Sequence, residues 1–439
     1  MNDFGFEHYT DGFGFTSFSE NTDESSGPYI PAVMDCLSCG ICIGSCPTYR
    51  VKQEENHGPR GRVRLIERVL KNGETLSTDE VDALNACTLC KACETVCPSK
   101  MEFNELHRQT MEVIDPRPNR GIALRLLLDQ VASRRSVQRL MSRLIHFHQR
   151  SGLSRLLEKM PFSFLKGDFQ QLEKLLPVPH VSETVPAYTR AIAPGPHKKV
   201  ALFTGCIANI FDTQTHNATI KLLTRLGHDV HVLEKQSCCG AIYDHNGDVE
   251  RAKSCARNNR EALAESGLDF FTFNSSGCGA FLNEYPALLD DDQSESQSDT
   301  DKLAIDVLEL VSGSGRLGEL EFKPLHSRVA VHEPCSQRNE LKNQELVYEL
   351  LAKVPGLEVI PLADNKMCCG AGGTRMVTHP ELAIPMRDDK VKALEESEAD
   401  ILVSANLSCA MHLTRGNREA DLEIKVIHPV TLLAQQLID

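Results

Sequence analysis

The chain has 439 residues, a formal net charge of −14, and 41% hydrophobic and 25% charged residues. That balance suits several ordinary hydrophobic cores, gives no support to nucleic-acid binding, and offers no apolar run near the ~18–20 residues that span a bilayer. Seventeen cysteines are the exception: too sparse for a disulfide-built secreted scaffold, they stand in Cys-x-x-Cys spacings behind a start, MNDFGFEHYT, without the features of an export signal, and so read as metal ligands in a reducing compartment.

Residues 1–28 hold six acids, no Lys or Arg and five Phe, including two Phe-Gly-Phe triplets. The composition reads as a disordered arm or as a partner-docking segment that orders on binding. Residues 29–110 then carry Cys36-x-x-Cys39-x-x-Cys42-x-x-x-Cys46-Pro47 and Cys87-x-x-Cys90-x-x-Cys93-x-x-x-Cys97-Pro98. Three cysteines spaced by two wrap three corners of a cubane, and the fourth, before Pro, ligates the neighbouring cluster. The spacing therefore assigns Cys36, Cys39, Cys42 and Cys97 to one [4Fe–4S] cluster, and Cys87, Cys90, Cys93 and Cys46 to a second. Small residues between the ligands (Ser38, Gly40, Gly44, Ala92) let backbone amides point at the sulfurs and raise the reduction potential. Zinc also accepts four cysteines, but it does not explain two identical runs that each end in Cys-Pro. Between the runs, Arg62 to Leu70 has helical character.

The next segment, 111–197, reads as a basic helical connector and linker. Residues 117–155 hold nine arginines against one acid, Asp129, with apolar residues at helical spacing through Leu124, Leu127, Val131, Leu140 and Leu144. Such a strip serves as an interdomain clamp or as a contact for anionic lipid or an acidic partner. Five prolines from Pro177 to Pro196 lead into the remainder.

An internal repeat fills that remainder, with domains at 198–300 and 301–439. Cys206, Cys238, Cys239, Gly240 and Cys278 recur as Cys335, Cys368, Cys369, Gly370 and Cys409, at offsets of 129, 130, 130, 130 and 131. Each copy alternates strands and helices: Val200–Phe203, helix Thr213–Leu226, Val230–Leu233, helix Val249–Ala264 and Phe270–Phe273, then Val329–Val331, helix 340–353, Leu357–Ile360, helix 380–397 and Ile401–Val403. This is the pattern of parallel α/β units, whose ligands gather at the strands' carboxyl ends. The expected fold is thus multidomain α+β: an α-helical ferredoxin-like dicluster domain, a helical connector, and two repeated α/β cysteine-rich domains. In each copy four thiols suit an added iron–sulfur cluster or zinc. His332 and His412 are candidate fifth ligands or hydrogen-bond donors as well as ordinary structural histidines. Cys255, without a counterpart, reads as a small buried hydrophobe. Gly370-Ala371-Gly372-Gly373 reads as room for a cluster loop rather than a phosphate-binding turn. No flavin, nicotinamide or hydrolytic motif stands out, so the expected catalytic set is empty and electrons arrive from another protein.

Two ferredoxin runs followed by two Cys-Cys-Gly repeats resemble the iron–sulfur subunits of flavin-linked 2-hydroxyacid dehydrogenases, in particular the glycolate oxidase iron–sulfur subunit family. Besides the cysteine runs, the resemblance rests on Gly58-Pro-Arg-Gly-Arg62, Ala256-Arg-Asn-Asn259, Ser276-Gly-Cys-Gly-Ala-Phe281 and Thr378-His-Pro-Glu-Leu-Ala383, and covers about residue 30 onward. It implies an electron-transfer subunit that takes electrons from an FAD-containing 2-hydroxyacid dehydrogenase subunit and passes them to a quinone or other membrane acceptor. The location it implies is cytoplasmic, peripheral to the inner face of the cell membrane. The arm 1–28 is not part of the resemblance. The iron–sulfur subunit of anaerobic glycerol-3-phosphate dehydrogenase shares the architecture. The Cys-Cys-Gly motifs are also similar to those of heterodisulfide reductase, a thiol–disulfide centre. Those motifs usually end Cys-x-x-Cys, whereas here Phe281 and His412 hold the last position.

Overall fold

The computed structural model describes residues 36–114, 127–131, 137–138, 140–145, 183–195, 198–289 and 303–438. The arm 1–28 lies outside these residues, as does most of the basic strip 117–155.

The N-terminal region is helical. Helix α1, Pro47–Lys52, begins directly after Cys46, with proline at its first position, where no N–H is needed. Helix α2, Pro59–Leu70, starts three residues before the expected Arg62, again on a proline. Gly61 explains why this start needs Gly-Pro-Arg-Gly-Arg: a Cβ there would lie 1.9 Å from the Glu55 carbonyl oxygen. Helix α3, Thr78–Asn85, opens with a reciprocal capping box between Ser77 and Glu80. Helix α4, Phe103–Ile114, packs on α2. Val63, Ile66, Leu84, Phe103, Leu106 and Met111 close the small core among them.

Two parallel sheets follow. The first contains β1 (Tyr188–Thr189), β2 (Lys198–Phe203), β3 (His228–His231), β4 (Phe271–Phe273) and β5 (Ala304–Asp306), in the order β1-β3-β2-β4-β5 with only β1 antiparallel. The second contains β6 (Arg328–His332), β7 (Glu358–Pro361), β8 (Ile401–Ser404) and β9 (Lys425–Ile427), in the order β7-β6-β8-β9. Set β2 on β6 and the two parallel orders coincide. Register is fixed by apolar pairs such as Val200 opposite Val230 and Ala330 opposite Leu402. The central strands are buried on both faces, which is why they read as continuous apolar runs.

Three expectations need correction. The strand expected at Val230–Leu233 is His228–His231; it begins just after Gly227, whose φ of +92° turns the chain. The helix expected over 340–353 is two pieces, a π-helical turn Ser336–Leu341 and an α-helix Glu345–Leu351, broken at left-handed Lys342. The boundary expected after residue 300 falls inside a sheet, because Ala304–Asp306 pairs with β4.

The two repeats share one core. Val200, Leu202 and Val230 of the first cluster with Val329, Val331, Val403 and Val430 of the second. Helix α5, Thr213–Arg225, packs against the C-terminal helix Pro429–Gln436, and the buried hydroxyls of Thr215 and Thr431 meet at 2.9 Å. At the strands' carboxyl ends the Ser276 and Ser336 hydroxyls lie 2.8 Å apart, and Ser275 donates to Asn406 at 3.0 Å. The two cysteine sets are therefore carried on one rigid double unit.

Candidate redox centres

Four cysteine sites emerge, two in the helical region and one per repeat. The two helical runs are 51 residues apart and share a backbone signature. Ser38 and Gly40 in the first, and Leu89 and Lys91 in the second, all have φ between +50° and +81°. A left-handed side-chain residue costs about 1–2 kcal/mol, and three of these four are not glycine. Such loops persist only where the surroundings fix them, as when three cysteines must face one centre.

Cys36, Cys39, Cys42 and Cys97 form the outer site. Burial and then the neighbouring Cys36 push the Cys42 thiol up to about 11, with Cys39 and Cys97 adding to the effect. Cys39 is exposed, and the intervening Leu37 and Ile41 are 72% and 58% exposed.

The inner site consists of Cys46, Cys87, Cys90 and Cys93, which line one pocket. Burial holds the Cys87, Cys90 and Cys93 thiols above their ordinary range. The backbone amides of Leu89 and Ala92 work against that rise at Cys87 and Cys90. Arg62 is buried beside this site: its Nε donates to the Ala83 carbonyl at 2.8 Å, and its Nη1 donates to Thr48 Oγ1 at 2.9 Å and reaches Cys46 Sγ at 3.9 Å. These features fit a cluster. Four closely spaced thiolates, two of them buried, repel one another; a metal centre relieves that repulsion, and amide and guanidinium donors offset the remaining negative charge.

In the first repeat Cys206 donates to Cys238 at 3.3 Å, and sulfur contacts continue through Cys239 to Cys278. The hydrogen bond with Cys238, and then burial, hold the Cys206 thiol well above its usual range. The walls are aromatic: Phe203, Tyr243, Phe271, Phe273, Phe281 and Tyr285 share the core with these sulfurs. Asn259 donates to the Cys238 carbonyl at 2.9 Å and Tyr285 to the Cys239 carbonyl at 2.6 Å, locking the paired-cysteine turn. Cys255 is half-buried against the same core, and burial lifts its thiol to about 11.

The second repeat is built differently. His332 takes the place of Phe203, and its ring nitrogen and the sulfurs of Cys369 and Cys409 lie within 4.8 Å of one another, all three residues buried. Cys335, Cys368, Cys369 and Cys409 are joined by sulfur hydrogen bonds. Bonds from Cys335 and then Cys369 hold Cys368 well below the usual thiol range. Asn406 donates to Cys409 at 3.5 Å. His412, by contrast, sets its Nε2 against the Ala383 carbonyl at 3.2 Å. The structure thus separates two histidines that the sequence treated alike.

The comparisons with known proteins agree with this division. Residues 32–101 match the 4Fe-4S dicluster domain family, and residues 200–283 and 329–414 each match the cysteine-rich domain family. The glycolate oxidase iron-sulfur subunit of Escherichia coli (strain K12) is 33% identical over 414 residues, 92% of this chain and 93% of that one. The chain belongs to the glycolate oxidase iron–sulfur subunit family. The "probable glycolate oxidase iron-sulfur subunit" of Bacillus subtilis (strain 168) is 30% identical over 435 residues, 95% of this chain and 96% of that protein. Lactate utilization protein A of Geobacillus kaustophilus is shorter; it is 34% identical over 239 residues, 54% of this chain and 98% of its own.

This family member holds its helical region against both repeats through buried charge. Lys91, inside the inner-site loop, pairs with Glu284 of the first repeat and, at 2.6 Å, with Glu340 of the second. Arg108 reaches Glu284 and Asp244, each at 2.7 Å. Sequence reasoning missed Arg62, Lys91 and Asn259 as contributors. Arg62 and Asn259 lie in the quoted motifs and Lys91 between two cysteines, but their partners are distant in sequence.

Proposed function

We propose that this chain carries electrons from a flavin-containing subunit that oxidises glycolate or a closely related 2-hydroxy acid to a quinone at the cytoplasmic face of the membrane. The names of its relatives support glycolate over glycerol 3-phosphate. The basic strip 117–155 supports a peripheral membrane location. The proposed ligand sets, supported by cysteine spacing and grouping, are Cys36, Cys39, Cys42 and Cys97 for an outer [4Fe–4S] cluster, and Cys46, Cys87, Cys90 and Cys93 for an inner one. Such clusters store and release single electrons. A third iron–sulfur centre belongs to the second repeat, at Cys335, Cys368, Cys369 and Cys409 with His332. Five donors there exceed the four of a structural zinc site. The first repeat's Cys206, Cys238, Cys239 and Cys278 serve as a thiol core behind aromatic walls.

The observation that carries this reading is the pairing of one four-cysteine site with an exposed member, Cys39, with a second whose Cys46 and Cys90 are buried and whose Cys87 and Cys93 are half-buried. The exposed site exchanges electrons with a partner, and the buried site passes them inward. The test is Cys90→Ser in the assembled complex. Quinone reduction is expected to stop while substrate still reduces the flavin; loss of both contradicts the reading.

A further inference from the structure

The two repeats meet the inner ferredoxin site in different ways. After the paired cysteines the first repeat continues Gly240-Ala241-Ile242-Tyr243, and the second Gly370-Ala371-Gly372-Gly373. In the first, Tyr243 turns away and donates to the Leu128 carbonyl at 2.9 Å. In the second, Gly372 has φ +44°, and a Cβ there would come within 3.2 Å of the Thr88 Cα and 2.8 Å of Arg375 Cγ. The glycines let the Cys-Cys-Gly loop lie directly on the Cys87–Cys93 loop.

Side chains lock that contact. Asn339 donates to the Cys90 carbonyl at 2.7 Å and Arg375 Nε to the Cys87 carbonyl at 3.0 Å. The buried Thr88 hydroxyl stands beside the Cys368 sulfur and favours its thiolate. Cys90, Ala92, Cys335 and Cys368 pack as one apolar cluster. The first repeat reaches the same loop through the Glu284 carboxylate, not through a cysteine.

We propose that the Cys90–Cys368 contact is the electron bridge of this protein, joining the inner site to the second repeat and leaving the first repeat's cysteines off the route. The bridge rests on the reading that the second repeat holds a redox centre. One electron leaves the inner site and one arrives at the second repeat; no bond forms or breaks and no proton is needed. Thr88 is a positioning residue here. A hydroxyl beside a ligand sulfur favours the more negative, reduced state of the second-repeat centre and so raises its potential.

The experiment uses the full chain, prepared anaerobically, with metal analysis and redox-titrated EPR on the wild type, Thr88→Val, Thr88→Ser and Cys278→Ser. In the reduced wild type the inner-site signal is expected to be split by spin–spin interaction with the second-repeat centre. Thr88→Val is expected to keep its iron and shift that centre's midpoint to more negative potential, and Thr88→Ser to restore it. Cys278→Ser is expected to leave the splitting intact. An unsplit signal with a third centre present, an unmoved midpoint in Thr88→Val, or splitting lost in Cys278→Ser overturns the bridge alone. A wild-type protein with only about eight irons, or with zinc in the second repeat, overturns the underlying reading as well, and the metal analysis tells the two failures apart.

Discussion

The two repeats have the same parallel strand order and the same four cysteines, yet their thiols stand in different surroundings. In the first, Phe203, Phe271, Phe273 and Phe281 wall the sulfurs off. In the second, His332 joins the sulfurs, Asn406 donates to one of them, and the inner ferredoxin loop lies against another. The paired-cysteine turn itself is unchanged: Gly240 donates a backbone N–H to the Cys238 sulfur and Gly370 to the Cys368 sulfur, each at 3.4 Å. The scaffold places thiols at the strand ends, and the neighbours decide what the thiols can do. A site walled by aromatic rings is suited to stability, while one faced by donors and a second redox loop is suited to electron transfer.

The sharpest way to break this contrast is to remove one cysteine from each repeat. Cys369→Ser is expected to lower the iron content by about four per chain, while Cys239→Ser leaves iron unchanged and costs only stability. Equal iron loss in both variants would erase the distinction. Next in size is the charge that ties the repeats to the helical region. Lys91→Met leaves Glu340 without its cation while Glu284 keeps Arg108, an effect of about 3 kcal/mol, the low end for a broken buried pair. Thermal unfolding monitored by circular dichroism measures it, and an unchanged midpoint contradicts the role given to Lys91.

The ends of the last strand of each sheet, β5 and β9, offer a pH test with opposite signs. Asp306 accepts from the Leu308 N–H at 2.9 Å in the first repeat, and His428 accepts from the Val430 N–H at 3.1 Å in the second. Burial raises Asp306 to about 7 and lowers His428 to about 3. The stability from Asp306 is complete below the ordinary carboxyl value of 3.8 and is lost as pH rises through about 7. The stability from His428 is complete above 6.5 and is lost as pH falls toward about 3. Asp306→Asn is therefore expected to flatten the melting temperature between about 4 and 7, and His428→Asn to flatten it on the acid side. Matching pH profiles for the two variants contradict the assignment. The smallest effect is Gly372→Ala, about 1–2 kcal/mol from its left-handed backbone and the approach to Thr88. Denaturant unfolding resolves it, and a neutral result means the two loops are not held closely.

Local spacing made the ferredoxin loops legible, because three cysteines two residues apart have few ways to face one centre. A constant offset made the repeat legible, and short continuous apolar runs marked its central strands. Short edge elements were less visible: Ala304–Asp306 is only three residues long and takes its strand character from pairing with β4. The break at Lys342 was hidden because its left-handed turn lies within an amphipathic stretch. His332 and His412 had equal spacing from a cysteine, and only the fold could turn one toward sulfur and the other toward Ala383. Thr88 and Gly372 were hidden most completely. Their meaning comes from a contact across nearly three hundred residues (88 to 372).

Metal and acid-labile sulfide determination on anaerobically purified full-length protein, with EPR of the reduced sample, tests the central claim most directly. About twelve irons with matching sulfide, in three reducible centres, is the predicted result. A folded chain that carries zinc in the Cys36–Cys97 region and no inorganic sulfide would contradict it.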